Sequence, residues 1–163
     1  MVFQRILLAL DAGESGHVAT SFTVALARSW GAAVQVVHVN EYLAGGRGAT
    51  CETQSHAVGV VAAAMTELDD AGVPVAGATY RTAAFDVPCA IGELAHQFRS
   101  DVIVLGSRRR RFGSLFRRSM RDRVARHCQL PILLAPAPLN VTGDRRRALS
   151  LPPQALAFDP DRA

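Results

Sequence analysis

The chain has 163 residues, 49% of them hydrophobic and 20% charged, which suits one globular domain and excludes a disordered or low-complexity polypeptide. All 18 basic residues are arginine, so a phosphate-binding lysine, a Schiff-base lysine and a lysine general base are excluded. Residues 1–105 hold 5 arginines against 10 acids, net −5, and residues 106–163 hold 13 against 4, net +9, an asymmetry that points to an anionic partner for the C-terminal third.

Arg5–Leu10 is a continuous apolar run stopped by Asp11, and it reads as a strand buried on both faces. It is too short for a signal-peptide core or a membrane span. Val18, Phe22, Ala25 and Leu26 recur at helical spacing, and Gly31 is placed to end that helix as its left-handed cap. Ala33–Val39 is a valine-rich second strand, followed by a polar loop from Asn40 to Glu52. Ala57, Val61, Ala64 and Leu68 mark a second amphipathic helix closed by Gly72.

Val75–Arg81 is a weaker third strand. Asp86 is the expected N-cap of a third helix, with Pro88 in its first turn and Ile91, Leu94, Ala95 and Phe98 on its apolar face. Val102–Leu105 is the clearest buried strand and ends at Gly106. A basic loop follows. Ser119 and Asp122 have capping-box spacing and open a helix expected to run through Val124 and Cys128. Pro131–Ala135 is the last strand.

Five strands alternating with four helices predict an α/β fold, an open parallel five-stranded sheet with right-handed crossovers and helices on both faces. The domain is expected to span 1–136. Residues 137–163, with Pro138, Pro152, Pro153, Pro160 and the run Arg145–Arg147, read as a mobile or loosely docked tail. Cys51, Cys89 and Cys128 are odd in number and lack metal-ligand spacing, so reduced thiols in a cytoplasmic protein are expected.

In such a sheet, ligands sit beyond the carboxyl ends of the strands, where connections diverge. Asp11, Val39 and Gly106 are the candidate positions. Asp11 suits an adenine amine or a ribose hydroxyl, and equally an Asx turn or helix cap. The loop from Gly106 reads GSRRRRFGSLFRRS and feeds a helix N-terminus, which favours phosphate; Ser107 and Ser119 add hydroxyl donors. Nine arginines lie between Arg108 and Arg126. They make either a solvated basic face or a site for nucleotide, polyphosphate or nucleic acid. Without an aromatic stacking set, specific nucleic-acid recognition is not expected. His38 and His127 are read as core or capping residues, and no catalytic constellation or metal cluster is evident.

The segments Ile6-Leu-Leu-Ala-Leu-Asp11, Val37-His-Val39, Pro88-Cys-Ala-Ile91, Ser100-Asp-Val-Ile-Val-Leu-Gly-Ser107, Arg123-Val-Ala-Arg-His127 and Pro131-Ile-Leu-Leu134 together resemble the universal stress protein family. The resemblance spans Val2 to about Pro136. It implies a Rossmann-like sheet in order 3-2-1-4-5, homodimers, and a non-catalytic regulatory role in stress adaptation. Some members bind ATP and others do not. The binders carry a glycine, two residues, a second glycine, nine residues, then Gly-Ser or Gly-Thr. Here Gly106 matches the first glycine, Arg109 stands at the second and Arg118 at the third, Ser119 matches the hydroxyl, and eight residues separate Arg109 from Arg118. Asp11 and Val39 match positions that touch the nucleoside.

A side chain at a left-handed glycine position costs roughly 1–2 kcal/mol and blocks close approach of backbone to phosphate. A charge-assisted bond from arginine returns roughly 1.5–3 kcal/mol. Because the loop is also one residue short, ATP is expected to bind weakly or not at all. A nucleotide switch using arginines in place of glycines is the alternative, and an arginine-rich polyanion binder the second alternative. The apolar edge at Ile132, Leu133 and Leu134 is the expected homodimer contact, and no membrane partner is expected.

Overall fold

A computed structural model of the chain describes residues 2–11, 14–42, 52–106 and 120–136. Its order is β1 (Arg5–Leu10), α1 (Glu14–Trp30), β2 (Ala33–Tyr42), α2 (Gln54–Asp70), β3 (Val75–Ala83), α3 (Val87–Gln97), β4 (Val102–Leu105), α4 (Met120–Val124) and β5 (Ile132–Leu134). The strands form one parallel sheet in the order β3-β2-β1-β4-β5. The topology expected from the sequence is therefore the one observed.

The apolar run of β1 makes it the centre. Ile6 is in register with Val34 of β2 on one side and Val102 of β4 on the other. Because helices cover both faces, every residue from Ile6 to Leu10 is buried. Ile6, Leu8, Val34, Val36, Val102 and Val104 pack with Ala19, Ala27, Ala64 and Leu68. Leu7, Val37, Ile103 and Leu105 pack with Val87, Ile91, Ala95 and Val124 on the other face.

The helices follow their apolar spacing with one exception. In α2 the buried residues are Ala57, Val61, Ala64 and Leu68, as the periodicity predicts, and Thr53 caps the helix by accepting from the His56 N–H. In α1 the buried stripe is rotated from the expected one. Ala19, Thr20, Thr23 and Ala27 are buried, Phe22 and Leu26 only partly, and Ala25 is exposed. Thr20 and Thr23 tolerate burial because their hydroxyls donate to the carbonyls of Gly16 and Ala19, at 3.0 and 2.7 Å. Small residues then bring the helix close to the sheet.

Gly31 and Gly72 have φ of 65° and 73°. The next residue in each case donates back across the last turn, Ala32 to Ala27 O and Val73 to Leu68 O, both at 3.0 Å. This is the glycine stop expected at each helix end.

Four local expectations are corrected. β2 runs on to Tyr42 and β3 to Ala83, because Asn40, Glu41 and Tyr42 continue the pairing with Arg81, Thr82 and Ala83. Asp86 stands at the N-cap position of α3 in a helical conformation and makes no side-chain cap bond. Helix α4 stops at Val124; His127 N–H donates to Val124 O at 2.8 Å, a tighter turn than the α-helix, before Cys128 is reached. Leu133 packs into the core, whereas Leu134 is 46% exposed.

Candidate functional site

Strand β1 ends between neighbours whose connections leave in opposite directions, which opens a crevice at the carboxyl end of the sheet. A cleft of about 430 Å³ lies there. Its floor is Ala9, Leu10 and Asp11 from β1, His38 and Val39 from β2, and Leu105 and Gly106 from β4. Val87 and Ile91 of α3 supply an apolar wall, and Glu41, Glu52 and His56 a polar one. Three of the residues picked from the sequence, Asp11, Val39 and Gly106, thus line one cleft. Ser107, Arg109 and Ser119 lie outside the described residues, as do Arg118 and the segment 137–163.

Asp11 is positioned by the start of α1. The Ser15 hydroxyl donates to its carboxylate, 2.7 and 2.6 Å from the two oxygens. The helix approaches so closely that a Cβ on Gly16 would lie 2.6 Å from the Asp11 carbonyl oxygen. Glycine there allows the contact.

The opposite wall is built around Glu52. Nδ1 of His38 donates to the Leu10 carbonyl at 3.0 Å, so that nitrogen carries a hydrogen. Its other nitrogen, Nε2, pairs with Oε1 of Glu52. Oε2 of Glu52 lies 3.2 Å from Nδ1 of His56. The Asn40 amide reaches the Glu52 carbonyl at 3.4 Å, and its Oδ1 is buried with no partner among the described residues. One carboxylate therefore ties the end of β2 to the start of α2.

Glu52 and His56 were not among the expected site residues, and neither was Ser15. The spacings Asp11-x-x-x-Ser15 and Glu52-x-x-x-His56 were the available signals, but the pairing of Glu52 with His38 spans 14 residues and is visible only in three dimensions. His38 is buried as expected, and in addition it faces the cleft. His127 lies against α3, where a Cβ on Gly92 would be 3.3 Å from it.

No group of three or more His, Cys, Asp or Glu among the described residues has metal-site geometry, and no helix among them is long and apolar enough to cross a membrane. Cys89 lies on α3 away from the cleft; partial burial, then the Glu93 carboxylate, push its thiol pKa up.

The family model described as the universal stress protein family matches residues 3–136. The chain belongs to this family. Family members of known structure share the fold. One from Burkholderia pseudomallei is 22% identical, with a TM-score of 0.64, covering 82% of this chain and 96% of that one. One from Archaeoglobus fulgidus is 23% identical, with a TM-score of 0.62 in its complex with dAMP, covering 83% and 100%. An Arabidopsis thaliana family member with AMP bound is 12% identical, with a TM-score of 0.58, covering 87% and 97%. No curated protein sequence matches the chain significantly.

Proposed function

We propose that this universal stress protein is a non-catalytic, cytoplasmic regulator of stress adaptation whose cleft receives an adenine mononucleotide. The observation that carries the reading is the convergence of Asp11, Val39 and Gly106 on one crevice at the sheet's switch point. Asp11 presents a carboxylate, held by Ser15, to an amine or hydroxyl. Val39 lends strand backbone at the end of the apolar floor. Family relatives crystallised with cAMP, dAMP and AMP support a ligand with one phosphate.

A triphosphate asks more of the loop after Gly106. Arginine at positions 109 and 118 removes two of the glycines that let backbone wrap phosphates, so ATP gains little over AMP. The chemistry is binding alone: the hydroxyl that meets a carboxylate at the cleft, Ser15 on Asp11, serves to orient that carboxylate toward the ligand. The regulator acts as a homodimer through the β5 edge.

Equilibrium dialysis of the full chain with labelled AMP, cAMP and ATP tests this. Saturable one-to-one AMP binding is expected, with ATP no tighter. Asp11→Ala should weaken it about tenfold or more, the loss of one charge-assisted hydrogen bond, while Arg147→Ala leaves it unchanged. Absence of saturable AMP binding at millimolar concentration, or binding indifferent to Asp11→Ala, overturns the reading.

A further inference from the structure

The polar wall of the cleft has a chemical bias that the strand-end residues alone do not explain. Glu52 is a largely buried carboxylate, its side chain 15% exposed, and a group of that kind is costly to desolvate unless it is held in place. It is held from both sides. His38, 5% exposed at its side chain, engages one oxygen and is itself fixed by the Leu10 carbonyl. His56 engages the other oxygen. Each carboxylate oxygen has two acceptor directions, so both retain capacity for a further donor. The described lining also includes Asp11 and Glu41 and no arginine. That wall therefore disfavours a phosphate and welcomes a group that donates hydrogen bonds.

We infer that Glu52 is a specificity-determining residue that accepts a hydrogen bond from the exocyclic amine of the base, and so selects adenine over hypoxanthine. This rests on the proposal that the cleft takes an adenine mononucleotide. His38 and His56 are positioning residues that hold the carboxylate. The orientation follows: the base lies toward Glu52 and the phosphate toward Gly106. In AMP the exocyclic amine donates to the carboxylate. In IMP a carbonyl oxygen replaces it and meets the carboxylate as a second acceptor. A site built to bond a donor rejects the analogue lacking it more strongly than an apolar pocket rejects a change of size.

The test is competition dialysis of the full chain with AMP and IMP, read as the ratio of their affinities. The wild-type chain should prefer AMP by about tenfold or more, the worth of one charge-assisted bond. Glu52→Gln keeps the side-chain length and one acceptor oxygen, exchanges the other oxygen for an amide donor and loses the charge, so the ratio should fall at least about threefold, with circular dichroism unchanged. His56→Ala, at an exposed position, should lower the ratio in the same direction, and it decides the matter if Glu52→Gln does not fold. A purely structural Glu52 would weaken both nucleotides equally and leave the ratio fixed, which overturns the inference. Equal affinity for AMP and IMP in the wild-type chain overturns it too, while leaving the mononucleotide proposal intact. Failure of both nucleotides to bind overturns both.

Discussion

At Gly16 a hydrogen atom separates a closed packing from a clash. A methyl group there would stand 2.6 Å from the Asp11 carbonyl oxygen, a backbone atom that cannot swing aside. The start of α1 must then lift from the end of β1, and the Ser15 hydroxyl leaves the Asp11 carboxylate with it. Gly16→Ala is expected to destabilise on balance: overpacking costs roughly 1–3 kcal/mol, against the roughly 0.5–1 kcal/mol that replacing a helical glycine by alanine returns. A lowered urea midpoint with unchanged slope is the expected readout. A raised midpoint would show that the helix start has room to spare.

The elements divide into those whose ends are marked by residue chemistry and one that is not. Helices α1 and α2 stop at glycines. Helix α3 stops at Arg99, with φ of 56°, and Ser100 N–H donates back to Ala95 O at 2.8 Å in the same pattern. A side chain in that conformation costs roughly 1–2 kcal/mol, partly offset by the extra freedom glycine has in the unfolded chain. Arg99 is exposed. Arg99→Gly should therefore raise stability by up to about 1 kcal/mol, read as a higher thermal midpoint; a lower midpoint would mean that the arginine side chain contributes more than its backbone costs.

How much of this was legible in the sequence follows from the same residues. Periodicity found Ala57, Val61, Ala64 and Leu68 because α2 buries what is hydrophobic. It misplaced the face of α1 because closeness of approach, through Ala19, Thr23 and Ala27, outweighs hydrophobicity there. Asn40 and Glu41 read as loop because both are depleted in strands, and Tyr42 was carried with them; pairing with β3 makes all three strand. In the cleft, Asp11 and Gly106 were legible because they directly follow strands whose ends can be read locally, whereas Val39 lines the cleft from within β2, which continues to Tyr42. Glu52 was missed because its partner His38 is brought to it only by the fold.

For the whole molecule, the two sheet edges are unequal. β3 offers nine residues and β5 three. The β5 edge expected to join two copies presents Leu134, 46% exposed, while Leu133 serves the interior. Replacing Leu133 by arginine would disturb the core, so the diagnostic change is Leu134→Arg. It should shift sedimentation equilibrium toward monomer at tens of micromolar and leave the circular dichroism unaltered. A wild-type chain that is wholly monomeric at that concentration would remove the dimer.

The central position of β1 also sets an order of events during synthesis. Its partner β2 follows at once, so Ile6 meets Val34 across a short stretch of chain, but Val102 arrives only after α2, β3 and α3 have been made. Closing that longer loop is entropically costlier and slower. Until then, one side of Arg5–Leu10 has unpaired N–H and C=O groups while the nascent chain is still attached to the ribosome. The arrangement that places β1 at the centre of the finished sheet makes it a segment in need of a chaperone before Leu105 emerges.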